Sequence, residues 1–273
     1  MRRYQTQYGE RSMSLSPRYV EGHELLAGKS VLITAAAGAG IGFAAARKCV
    51  EEGCRAIFVS DIHEGRTAQA VEALKALGGT QLVFGRVANV TVEEQVQALI
   101  DEAETRLGGV DVLINNAGLG GTKPLVDMSD EEWFRVLDIT LNGTMRMMRA
   151  MLRIMQPRKA GVIVNNASVL GWRAQPDQCH YAAAKAGVMA LTRCAAMEAA
   201  PFGIRINAVS PSLAMHDFLK KTTPVELLRA LEAKEAFGRG AEVWEVANVM
   251  VFLASDYASY MTGENVPVSS QHA

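Results

Sequence analysis

Several features are scarce in this 273-residue chain, and each scarcity removes a class of function. There are 4 cysteines, Cys49, Cys54, Cys179 and Cys194, and none has the spacing of a metal site. Thiols this sparse are expected to be reduced and mostly buried, as in a cytoplasmic protein. No metal is expected. No apolar run approaches the length of a membrane span. The basic start, M-R-R-Y-Q-T-Q-Y-G-E-R-S, lacks the apolar stretch of a secretory signal. Charge of one sign is missing too: the formal net charge is −1, which gives no bulk field for nucleic acid. Internal repeats and low-complexity linkers are absent. What remains is 49% hydrophobic and 21% charged, a composition that suits a soluble protein with a large core. Residues 1–24 are expected to be a flexible arm and 25–273 a single catalytic domain.

What is present alternates. Lys29–Thr34, Arg55–Ser60, Gln81–Gly85, Val110–Ile114, Gly161–Ala167, Ile204–Val209 and Asn265–Ser269 read as short buried strands. Helical stretches separate them: Ile41–Glu52, Glu64–Leu77, a helix opened by a Thr91/Glu94 capping box, Ser129–Met155, a helix to Ala200, and Glu242–Ala254. Strict alternation means a parallel sheet covered on both faces. The expectation is an α/β, Rossmann-like, doubly wound sheet of about seven strands. In such a fold ligands bind beyond the carboxyl ends of the strands, where the polar motifs of this chain fall.

The first motif is the turn Ala35–Gly42, A-A-A-G-A-G-I-G, between a strand and a helix. Gly38, Gly40 and Gly42 let backbone approach a pyrophosphate, and the helix start at Ile41 supplies amide donors. About twenty residues on, Asp61 ends the second strand, where a carboxylate binds both ribose hydroxyls and repels a 2′-phosphate. No basic residue stands in Ala35–Ala39, so NAD(H) is favoured over NADP(H). Arg47 or Arg66 folded over the ribose would weaken that preference.

The second motif runs from Ser168 to Lys185, S-V-L-G-W-R-A-Q-P-D-Q-C-H-Y-A-A-A-K. Tyr181 and Lys185 are four residues apart and share a helix face. A lysine ammonium beside a phenol favours the phenolate and brings its pKa toward neutrality. Ser168, at a strand end, donates to a substrate oxygen in this reading. Together they form one reaction centre in which Tyr181 moves a proton.

Glycine turn, Asp61, N-N-A-G at Asn115, Ser168 and Tyr181-x-x-x-Lys185, in this order, resemble the short-chain dehydrogenase/reductase family over Leu26–Ser270. The resemblance implies hydride transfer between a nicotinamide and a secondary alcohol or ketone. It implies that Ser168 orients the substrate oxygen, Tyr181 is the acid/base, and Lys185 tunes Tyr181 and binds ribose. It places Thr34, Gly38, Gly40, Ile41, Gly42, Asp61, Asn89, Val90, Asn116, Ala117, Gly118 and Pro211 around the cofactor. Thr140 stands where the family has a catalytic Asn, and Asn142 would point elsewhere. The family's T-G turn is Thr34-Ala35 here, one residue longer, with Gly38 expected in the unusual backbone conformation. Its P-G is Pro211-Ser212, and its late D-G-G is Ser269-Ser270-Gln271. The resemblance also implies a homotetramer or homodimer.

Turn, N-N-A-S-V-L-G-W-R-A-Q and S-S-Q ending look like an actinobacterial subset, some of which act on coenzyme A thioesters from steroid ring degradation. Trp172–Gln178, Leu119–Leu125 and a lid at 211–240 are expected to shape the substrate site. Its apolar members would be Trp172, Leu213, Met215, Phe218 and Leu219, its basic rim Lys220, Lys221 and Arg239. His180 and His216 are read as packing residues, as is the methionine run Met145–Met155. Two alternatives stay open: an NADPH-dependent 3-oxoacyl thioester reductase, and a non-catalytic nucleotide-binding sensor.

Overall fold

The structure is a computed structural model and describes residues 19–80, 82–216, 219–220 and 225–270. Phe218, Lys221 and Gln271 lie outside the described residues. Seven strands form one parallel sheet: β1 (Ser30–Ile33), β2 (Ala56–Asp61), β3 (Leu82–Val87), β4 (Val112–Asn115), β5 (Gly161–Asn166), β6 (Ile204–Pro211) and a last strand, Asn265–Val268. Between β6 and that strand lie the two-residue β7 (Ala214–Met215) and β8 (Ala241–Glu242), so the last is β9. The order is β3-β2-β1-β4-β5-β6-β9. The chain reverses direction across the sheet between β1 and β4, which opens a crevice at their carboxyl ends.

Successive strand residues point to opposite faces, and here both faces are covered. Val31, Ile33, Ile57, Val59, Val112 and Ile114 enter one core with α1 (Ile41–Glu51), α2 (Glu64–Ala76) and Met250 of the last helix. Leu32, Phe58, Leu113 and Ile163 enter the other with α3 (Glu93–Leu107), α5 (Gly143–Arg158) and α6 (Cys179–Ala199). This explains why β1, S-V-L-I, is buried throughout and shows no alternation. Met147, Met148, Met151 and Met155 fill the second core, as expected.

Two expected elements differ. The helix after β3 does not use Thr91 as its cap: it begins at Glu93 with Val92 as N-cap. The Asn89 carboxamide captures Thr91 first, accepting from its N–H at 3.0 Å and its hydroxyl at 2.9 Å. The long helical region 129–155 is broken. α4 (Asp130–Leu137) starts on a Ser129/Glu132 capping box, and a π-turn at Asp138–Asn142 separates it from α5.

Residues 19–24, expected within a flexible arm, lie against α1. Tyr19 bonds the Glu51 carboxylate and packs edge-on to Trp244 at 5.3 Å. The buried Lys48 ammonium donates to Val20 O at 2.7 Å, and Glu52 accepts from the His23 and Leu25 N–H groups at 2.6 and 3.1 Å. Between β6 and the last helices, β7 and β8 pair in parallel and pin the two ends of the 211–240 excursion. That excursion carries α7 (Val225–Glu232), and α8 (Val243–Ala254) follows it.

Candidate active site

The nucleotide end of the crevice is built by β1 and its turn. Thr34 holds β4 to β1: its hydroxyl accepts from the Asn116 and Ala117 N–H groups at 3.0 and 3.1 Å. Asn116 in turn donates to Ala35 O at 2.9 Å. Gly42 packs so closely that a Cβ there would collide with Ala35 O and the Asn116 amide. Gly38 adopts φ 90, as the longer turn required. Ala35, where the family has glycine, also sits in the left-handed region at φ 49, a strain an L-residue resists by about 1–2 kcal/mol. Gly38 and Gly40 face open space, and α1 starts with neither a side-chain cap nor an acidic first turn. Among the described residues no side chain caps the N–H groups there, so the turn fits a dinucleotide pyrophosphate.

Asp61 lies at the carboxyl end of β2 and is 7% exposed. Burial raises its pKa, against the pull of Arg66 and backbone donors from Ala37 and Ile62. Arg66 reaches it at 3.4 Å, while Arg47 is paired with Glu51 at 2.8 Å and turned away. Ile41 begins α1 and Gly118 follows β4. Asn89 and Val90 follow β3, and Val90 packs so tightly on Gly143 that a Cβ there would touch Val90 Cγ2 at 2.6 Å. Pro211 is the buried last residue of β6. The sequence-named nucleotide residues therefore all border the carboxyl end of the sheet.

The reaction-centre residues converge. Ser168 follows β5, and its hydroxyl is close enough to Tyr181 on α6 to lower the phenol pKa. The Lys185 Nζ lies 5.6 Å from the Tyr181 ring centroid. It is 3% exposed and donates to Asn166 O at 2.6 Å. Burial lowers its pKa from 10.5 to about 8. Burial also raises the Tyr181 pKa, opposed by the Ser168 hydrogen bond. Desolvation is the larger effect on Tyr181 in the unliganded protein, and the phenol stands protonated at neutral pH.

Thr140 is fully buried in the π-turn. Its hydroxyl accepts from Leu119 N at 3.0 Å and donates to Leu119 O at 3.2 Å. A Cβ on Gly118 would lie 3.4 Å from Lys185 Nζ and 3.7 Å from Thr140 Oγ1, so the loop after β4 is wedged between them. Asn142 does point elsewhere, to Asp138 at 3.0 Å.

Asn166 is the residue that sequence reasoning missed. Its carbonyl holds Lys185, and its amide donates to Asn116 Oδ1 at 2.9 Å. One register step back, Asn115 donates to Asn165 at 2.9 Å. The repeated N-N pair, in two strands that turn out to be neighbours, was the available signal.

Around the mouth, Trp172 is half-exposed. Arg239 is not a rim charge: Glu245 holds it at 2.7 and 2.9 Å. His216 accepts from Leu219 N at 3.2 Å. The C-terminal Ser269 and Ser270 tie two substrate-side segments, Ser269 accepting from Arg173 at 3.1 Å and Ser270 donating to buried Glu235 at 2.9 Å.

A family model described as enoyl-(acyl carrier protein) reductase matches residues 35–270. A Mycobacterium tuberculosis protein is 57% identical over 266 residues, 96% of this chain and 99% of its own length. It is named (5R,7aS)-5-hydroxy-7a-methyl-1-oxo-2,3,5,6,7,7a-hexahydro-1H-indene-carboxyl-CoA reductase. The chain belongs to the short-chain dehydrogenase/reductase family. Among solved members, a short chain dehydrogenase from Mycobacterium smegmatis is 54% identical, with TM-score 0.84 over 96% of this chain and all of its own. A 3α-hydroxysteroid dehydrogenase of Mediterraneibacter gnavus is 34% identical over 84% of this chain and 91% of its own. Members of the short-chain dehydrogenase/reductase family bind NAD(P), and this member is an oxidoreductase acting on hydroxyl or keto groups. The sensor alternative is thereby set aside.

Proposed function

We propose that this enzyme transfers a hydride between NAD(H) and a bicyclic secondary alcohol or ketone carried as a coenzyme A thioester, in steroid ring degradation. The observation that carries the reading is the convergence of Ser168, Tyr181 and Lys185 at the mouth of the crevice in a chain 57% identical to a carboxyl-CoA reductase. The 3-oxoacyl alternative has weaker support: a relative so named, from Haemophilus influenzae, is 35% identical.

The nicotinamide supplies the hydride when bound; the protein supplies orientation and the proton. Ser168 and Tyr181 hold the substrate oxygen between their hydroxyls. A phenol kept protonated by burial is set to donate as a ketone becomes an alkoxide. Lys185, fixed by Asn166 O and beside the phenol ring, would hold the nicotinamide ribose. Thr140 acts as a positioning residue through Leu119 and Gly118 in place of the family Asn. NAD(H) is favoured because Asp61 would hold the ribose hydroxyls, Arg47 is paired with Glu51, and Arg66 is paired with Asp61.

Residues 211–240 cover the substrate, with 25–273 acting as one catalytic unit. Phe134 on α4 and Met197 on α6, 63% and 75% exposed, support a homodimer or homotetramer, which light scattering tests. The four cysteines are free, which fits a cytoplasmic setting, but Cys179 and Cys194 are exposed, so the expectation of mostly buried thiols does not hold. The functional test is cofactor depletion with NADH and NADPH in parallel, on bicyclic and short linear acyl-CoA ketones. Turnover of the bicyclic thioester with NADH is expected, and Tyr181→Phe should lower it roughly 10²–10⁴-fold. Retention of most turnover in that variant defeats the assignment.

A further inference from the structure

Beside the phenol, on the α4 side, the loop 119–123 walls a recess of about 210 Å³. It starts at the reaction centre: a Cβ on Gly120 would lie 3.9 Å from two Tyr181 ring carbons. Its floor is His180, 3% exposed, whose Nδ1 is buried with no hydrogen-bond partner among the described residues. On the other edge of that ring, a Cβ on Gly121 would come within 3.0 Å of Nε2, so this glycine keeps the recess open beside the imidazole. Its mouth carries Lys123, Glu132 and Arg135.

The charges at that mouth are unevenly spent. Glu132 accepts from Ser129 N at 2.9 Å and pairs with Lys123 at 3.4 Å. Arg135 is exposed and makes no ion pair among the described residues. The wall is fixed from outside: Lys123 N donates to Asp177 O at 2.9 Å, and Gln178 donates to Thr122 Oγ1 at 3.2 Å. A positive rim, a buried imidazole without a partner, and a small recess walled by a glycine-bearing loop suit an amide chain ending in phosphate.

We propose that this recess receives the pantetheine arm of the coenzyme A thioester, an arm amide bonding to His180 Nε2 and the phosphates meeting Arg135 and Lys123. The inference rests on the coenzyme A-linked reading and adds where the carrier sits. The acyl rings then remain at Ser168 and Tyr181, on the far side of Gly120. Burial holds the imidazole pKa below its ordinary value, so at neutral pH His180 is uncharged and offers one donor and one acceptor nitrogen.

The test is calorimetric titration of the full-length protein, saturated with NADH so that the adenine site is closed, with coenzyme A and with pantetheine. Wild type should bind coenzyme A more tightly than pantetheine. The double variant Lys123→Ala/Arg135→Ala should lose roughly tenfold or more for coenzyme A and nothing for pantetheine. Arg135→Lys should retain much of the difference. His180→Phe should weaken both ligands. NADH affinity, the control for folding, should be unchanged throughout. Wild-type affinity for coenzyme A in the double variant overturns the site alone. A wild-type protein that binds NADH but no coenzyme A defeats the coenzyme A-linked reading and the site with it.

Discussion

Lys185 is expected to make the unliganded enzyme less stable than it would be without it. Its ammonium is 3% exposed, and burial alone takes its pKa from 10.5 to about 8. At pH 7 the lysine is protonated in both folded and unfolded chains, so the full penalty, about 3 kcal/mol, is present there. Methionine matches its volume without the charge. Lys185→Met also strips Asn166 O of its donor, which costs about 1–2 kcal/mol. The balance predicts a variant about 1–2 kcal/mol more stable at pH 7.

The pH dependence carries the sign. Between about pH 8 and pH 10.5 the unfolded chain holds the proton that the folded one has lost. Wild-type stability therefore gains relative to the variant as pH rises through that window. By pH 9.5 the advantage of the variant should have fallen by about 2 kcal/mol and vanished. Urea denaturation of cofactor-free protein at pH 7 and pH 9.5 measures this. A variant less stable than wild type at pH 7, or a gap that ignores pH, refutes the reasoning. Turnover should be lost in either case, since catalysis needs the group that stability does not.

Three further outcomes are expected. Ala35→Gly removes the strain of φ 49 and should raise stability by about 1 kcal/mol; thermal unfolding that shows no gain rejects strain at this turn. Thr140→Val leaves the Leu119 N–H without its acceptor and should cost about 1–3 kcal/mol along with much of kcat. Thr140→Ser should restore both, and a serine variant as damaged as valine argues against the hydroxyl. Asp61→Ala frees Arg66 from its pair and should raise kcat/KM with NADPH while lowering it with NADH; an unchanged ratio removes Asp61 from coenzyme choice.

Local pattern was enough wherever one element decides the outcome. The continuous apolar strands announced a sheet buried on both faces, and Tyr181-x-x-x-Lys185 announced a shared helix face. Gly38 and Gly42 marked the turn because one is left-handed and the other leaves no room for a Cβ, though Ala35 concealed a second left-handed position. Thr91 misled because a capping pattern competes with an Asx-turn, and the side chain two residues earlier won.

Residue types and order by themselves therefore determined the alternating fold, the crevice and the chemistry-bearing side chains. Only the tertiary structure decided their states. Pairing of β4 with β5 turned two N-N dyads into the amide bridge that seats Lys185. Burial, which no single segment contains, raised the Tyr181 pKa and lowered that of Lys185. The π-turn aimed Thr140 at Leu119, and the packing of Gly121 against His180 left a recess beside the phenol. Each depends on which distant segments meet and how much water they exclude, and dielectric and partner are properties of that meeting rather than of the chain read in order.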